Sequence, residues 1–158
     1  MNVLVTSEAA QFRVALPAGG RLMALDVGSK TVGVAFCDAG WSFASADKTI
    51  ARGKFTKDKE RLAVLIKEQN IAGIVIGLPL SLDGRDTPQT QSNRAYARNL
   101  AVLDLPILLW DERWSTLAVE REMIAADISR AKRAAQVDSK AAEYILQGAI
   151  DALVAIRQ

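Results

Sequence analysis

"RLMALDVGSK", residues 21–30, is the stretch whose reading decides the fold. Leu22, Met23, Ala24, Leu25 and Val27 form an apolar run with no polar alternation, the pattern of a strand buried on both faces of a helix-covered sheet. Asp26 lies inside that run. An ionised carboxylate there costs several kcal/mol unless a cation, hydrogen-bond donors or an opening to solvent offsets it.

Outward from this strand, the turn "GSK" leads into "TVGVAFC", residues 31–37, a second β-rich run at hairpin distance. A third strand is predicted in residues 46–52. Leu62, Leu65 and Ile66 recur at helical spacing in residues 56–70, with Asn70 as the stop, and "GIVIG" (73–77) reads as another buried strand. Thr87 can cap and Pro88 can open a helix running to about Leu103. "PILLW" (106–110) is a further buried strand, followed by a helix from a Ser115 cap through Ala126, a basic loop "SRAKRAAQ", and a last helix over about 138–156. Three strands followed by alternating helices and strands predict an α/β domain with a mixed sheet. Residues 1–20 lack clear periodicity and end in "PAGG", so they read as an extension with at most one loose strand ahead of a domain at 21–158.

Composition narrows the chemistry. The 158 residues, 50% hydrophobic and 24% charged, suit one soluble domain with a single core. The longest apolar segment, "IAGIVIGLPL", is too short for a bilayer, and the N-terminus lacks a secretory pattern, which makes the cytoplasm the default expectation. No histidine is present, which excludes Ser-His-Asp and Cys-His catalysis and His-ligated zinc. The lone Cys37 sits in an apolar run and reads as an inert core residue. Catalysis must therefore use carboxylates, hydroxyls, Lys, Arg or hard metals.

Three carboxylates qualify. Open α/β sheets place their sites at the carboxyl ends of strands, where Asp26 ends one strand and Asp111 with Glu112 ends another. Successive strand residues face opposite sides, so one of Asp111 and Glu112 joins Asp26 if the two strands are adjacent. On the last helix Ala142, Ile145, Leu146, Ala149, Leu153 and Ile156 form an apolar stripe, and Asp138 falls on it one turn ahead. The competing reading of Asp138 is an N-cap or first-turn acid. Converging carboxylates without histidine or paired cysteine are the oxygen ligands that magnesium or manganese prefers. Such ions can activate a water and stabilise the leaving oxygen in phosphodiester hydrolysis. Lys30, Arg113, Arg130, Lys132 and Arg133 flank these acids and are candidate phosphate contacts.

"ALDVGSKTVGVAFCD", "IVIGLPLSLDGRDTPQTQ", "LLWDERWST" and "VDSKAAEYILQGAID" resemble, in order, the motifs of the YqgF family, also called RuvX. The resemblance implies an RNase H-like fold, and a role in Holliday junction resolution or in maturing the 5′ end of pre-16S ribosomal RNA in the bacterial cytoplasm. Carried over by motif, the catalytic acids are Asp26, Glu112 and Asp138, with Asp111 as the alternative ligand. Thr31 stands where the family commonly has a basic residue, so the chain departs from the family at one expected phosphate contact. A nucleotide-binding ATPase of the actin type shares the "D-x-G-S" hairpin but needs a second lobe for which this chain has no room. The non-enzymatic alternative is a nucleic-acid or ribosome-assembly binding module. Symmetrical junction cutting needs a dimer, and the sequence leaves no helix with a spare apolar face, which favours RNA over branched DNA and leaves the oligomeric state open.

Overall fold

The computed structural model describes residues 3–16, 20–112 and 130–156, at 130–138 through the backbone alone. In chain order these form β1 (Val5–Thr6), α1 (Ala9–Ala15), β2 (Arg21–Val27), β3 (Thr31–Cys37), β4 (Ala44–Ala51), α2 (Phe55–Gln69), β5 (Ile71–Leu78), α3 (Pro88–Leu100), a 3-10 turn (Ala101–Leu103), β6 (Ile107–Asp111) and α4 (Arg130–Ala155). The strands make one mixed sheet in the order β1-β6-β5-β2-β3-β4. Neighbours from β1 to β2 run parallel, whereas β3 and β4 are antiparallel additions.

Strand alternation sorts the core into two layers. Met23, Leu25 and Val27 of β2, Ile74 and Ile76 of β5, and Ile107 and Leu109 of β6 pack with Leu62 and Leu65 of α2 and Tyr96, Ala97 and Leu100 of α3. Leu22, Ala24, Val75 and Leu108 face the other way, against Ala142, Ile145, Leu146, Ala149, Ile150 and Leu153 of α4. Every second residue of the central strands thus belongs to the α4 layer. Both layers are built of buried apolar side chains, which is why these strands read as unbroken apolar runs.

Local signals place the helices on this frame. Asn70 ends α2 in the left-handed region at φ 54°. Thr87 caps α3 by accepting from the Thr90 N–H, Thr90 returns the bond to the Thr87 N–H, and Pro88 occupies the first turn. Cys37 is buried and unbridged.

Two segments differ from the sequence expectation. The stretch read as a loose extension lies on the sheet: β1 pairs with β6, and Phe12 of α1 is fully buried beside Leu16. A Cβ on Gly73 would stand 2.7 Å from Leu16 and 2.9 Å from Phe12, so that glycine admits the N-terminal segment onto β5. The expected basic loop is the other difference, since α4 already runs from Arg130. Ala, Arg, Lys and Gln are strong helix formers, and neither Gly nor Pro interrupts residues 130–147. The predicted helix at 115–126 lies outside the described residues.

Candidate active site

β2, β5 and β6 deliver their carboxyl ends to one edge of the sheet, where Asp26 and Glu112 sit. Asp26 is half-buried, and its parity with Leu22 and Ala24 puts it on the α4 face. Glu112 directly follows β6, and its N–H donates to the Leu78 carbonyl at 3.2 Å. It shares the parity of Leu108, so its side chain also turns to the α4 layer, and it is only 8% exposed. Asp111, one residue earlier, is exposed and has the opposite parity. The choice between Asp111 and Glu112 that alternation leaves open in the sequence is resolved in space towards Glu112.

The two strands are not neighbours, because β5 runs between them, so the adjacency on which the meeting of their acids was conditional does not hold. Two inter-strand spacings, roughly 10 Å, would normally keep their side chains apart. Gly77 of β5 removes the obstacle. A Cβ there would collide with Glu112 Oε2 and would lie 2.6 Å from Ile145 Cδ1 of α4. Without that side chain the Glu112 carboxyl lies across β5 and forms a side-chain hydrogen bond with Asp26.

Burial, then the charge of Asp26, then that hydrogen bond push the Glu112 carboxyl up to about 8, with a smaller push from Asp111. Near neutrality the pair therefore holds a proton between its carboxylates when no cation is there to share. Glu112 Oε2 is buried without a hydrogen-bond partner among the described residues. A buried acceptor of this kind beside a second carboxylate suits a hard cation. The described residues contain no group of three His, Cys, Asp or Glu side chains placed to hold a metal.

Asp138, the third expected acid, lies in the third turn of α4, which removes the N-cap reading, and its side chain lies outside the described residues. Its backbone position is four residues ahead of Ala142, where the buried stripe of Ala142, Ile145, Leu146, Ala149 and Leu153 begins. Lys30 is exposed in the turn after β2. Arg52 braces that turn: its N–H donates to the Lys30 carbonyl and its Nη1 to the Gly28 carbonyl, both at 2.8 Å. Arg130, Lys132 and Arg133 occupy the first turn of α4 with side chains outside the described residues, and Arg113 lies wholly outside them. The sequence reading missed Gly77 and Arg52. Gly77 carried a signal, because a glycine inside an apolar strand marks close approach by another group.

Comparison with known proteins identifies the family and the fold. A model of the RuvX family, described as Holliday junction resolvase, matches residues 20–152. A protein of Sphingopyxis alaskensis named "Putative pre-16S rRNA nuclease" is 65% identical over 150 residues, covering 95% of this chain and 99% of that one. A protein of the same name from Novosphingobium aromaticivorans is 57% identical over 150 residues, covering 95% and 97%. Among solved structures, Thermus thermophilus RuvC in complex with a Holliday junction substrate superposes with a TM-score of 0.54 at 12% identity, covering 85% of this chain and 96% of that one. That likeness concerns the fold, and the mixed sheet with helices on both faces is the RNase H-like architecture. No helix among the described residues is long and apolar enough to cross a membrane. With its family model spanning both strand-end acids and most of the sheet, the chain belongs to the RuvX family.

Proposed function

We propose that this protein is a nuclease that hydrolyses phosphodiester bonds with magnesium or manganese, acting on RNA in the cytoplasm and maturing the 5′ end of pre-16S ribosomal RNA. The observation that carries the reading is the Asp26–Glu112 pair joined over Gly77, with a buried and unsatisfied Glu112 oxygen. Asp26 and Glu112, completed by Asp138 from α4, would hold the metal. A divalent ion bound there supplies an activated water and stabilisation of the leaving oxygen. The chain's own part is to gather negative charge in a site walled by β5 and Ile145, and to present Lys30 to the substrate backbone. Arg113, Arg130, Lys132 and Arg133 complete the proposed phosphate contacts.

The pre-16S role rests on the names of relatives that match this chain over nearly their whole length. Resolution of four-way DNA junctions is the second reading, favoured by the description of the family. One purified preparation with magnesium or manganese, offered a precursor-rRNA fragment, plain single-stranded RNA and a four-way DNA junction, separates them. Cleavage near the mature 5′ end with the junction intact supports the RNA reading. Paired symmetrical nicks in the junction with intact RNA would replace it.

A further inference from the structure

At the edge where the acids meet, β2 and β5 part company. Their parallel pairing ends at Leu25 and Ile76. Beyond that point two backbone carbonyls point into the widening gap. The Gly28 N–H turns towards β3, donating to the Thr31 carbonyl at 2.8 Å, so the Val27 carbonyl of the same trans peptide turns towards β5. The Leu78 carbonyl turns towards β6, where it accepts from Glu112, so by strand alternation the Gly77 carbonyl turns towards β2. Carbonyls left this way in a buried gap require donors.

Both donors come from one face of α3. Gln89 Nε2 donates to the Val27 carbonyl at 3.4 Å and to Asn93 Oδ1 at 2.8 Å, and Asn93 Nδ2 donates to the Gly77 carbonyl at 3.2 Å. The spacing of four residues puts the two amides one helical turn apart, so they form a continuous relay from strand to strand. Asn93 is fully buried, next to apolar Tyr96 and Ala97 of the same helix. Thr90 anchors the helix between them, its Oγ1 donating to the Pro79 carbonyl at 2.7 Å.

The relay grips one residue past Asp26 on β2 and the very glycine over which Glu112 lies on β5. We propose that Gln89 and Asn93 are positioning residues that set the spacing of Asp26 and Glu112 by clamping the parted ends of β2 and β5 from the opposite face of the sheet. This rests on the metal-dependent reading of the two acids. Neither amide touches the reacting atoms. Partners that orient metal-holding carboxylates typically change metal affinity or activity by about 10–100-fold when lost.

The test uses Gln89→Met, which keeps side-chain length at a half-buried position while removing both donated bonds, with Gln91→Met on the exposed side of α3 as control. Asn93→Leu is the companion variant, and circular dichroism confirms that each is folded. Mn2+ binding by titration calorimetry and turnover on RNA are then measured. The expected result for Gln89→Met is Mn2+ affinity and kcat each lower by about 10-fold or more, with KM for RNA within about 2-fold and Gln91→Met like wild type. Wild-type Mn2+ affinity and kcat in folded Gln89→Met overturn the relay while leaving the metal-dependent reading intact. A wild-type protein that neither binds Mn2+ nor cleaves overturns that reading, and the relay with it.

Discussion

Gly77 and Glu112 occupy the same space: the carboxylate of one lies where any side chain on the other would stand, and this lets Glu112 reach Asp26 across an intervening strand. Gly77→Ala must displace both Glu112 and Ile145. Overpacking of this kind costs about 1–3 kcal/mol, and the displaced acid should lower turnover by at least ~100-fold. Urea unfolding and single-turnover cleavage read the two effects separately. Wild-type turnover in Gly77→Ala would show that Glu112 need not lie across β5.

Protonation of Glu112 gives the metal-free protein a defined pH dependence. Its pKa rises from 4.5 to about 8 on folding, so within that window the folded state keeps a proton that the unfolded chain has released. The contribution of Glu112 to stability is therefore full below about pH 4.5 and is lost as pH rises towards 8, by up to about 1.4 kcal/mol per unit. Chemical denaturation across this range in chelator should show the decline, and Glu112→Gln should flatten it. Added Mn2+ should also oppose the decline, because the ion takes the place of the shared proton. A metal-free wild-type profile that is flat or rising between pH 5 and pH 8 contradicts the acid pair as described.

The N-terminal segment should be required for stability. Phe12 is fully buried against a face that Gly73 keeps open, and Phe12→Ala should cost about 3–5 kcal/mol. Val14, on the same short helix but exposed, serves as the control, with Val14→Ala near neutral. Equal unfolding midpoints for the two variants would detach α1 from the core.

Nucleic-acid binding should weaken steeply with salt. If Lys30 contacts one phosphate, Lys30→Ala should lower the log-log salt slope by about 0.7 on single strands or about 0.9 on duplex. Fluorescence anisotropy between low and physiological salt measures this, and an unchanged slope removes Lys30 from the interface.

Much of this arrangement is legible in the sequence, and particular residues show where legibility stops. Asp26 stands out because a charge in a two-faced apolar strand demands compensation, and the stripe from Ala142 to Leu153 appears at helical spacing because α4 has one buried face. Asp111 and Glu112 could not be separated, since a strand buried on both sides carries no alternation from which to read its phase. The order of β2, β5 and β6 is equally silent in sequence, so the role of Gly77 as the gap between two acids emerges only from the sheet. Phe12 carries no sequence signal because α1 is too short to display a period. Arg130 to Gln136 reads as a loop through its charge, although its residues are strong helix formers and the segment is helical.

Two carboxylates acting through a divalent ion lie at the centre of the proposed reaction, and cleavage by Asp26→Asn tests them most directly. Asparagine keeps the size of the side chain and removes the charge that adds to burial in raising Glu112, so the variant should fold at least as well as wild type. Single-turnover cleavage of RNA in saturating magnesium or manganese should fall by at least ~100-fold. Undiminished cleavage by a folded, highly purified Asp26→Asn protein would contradict the account.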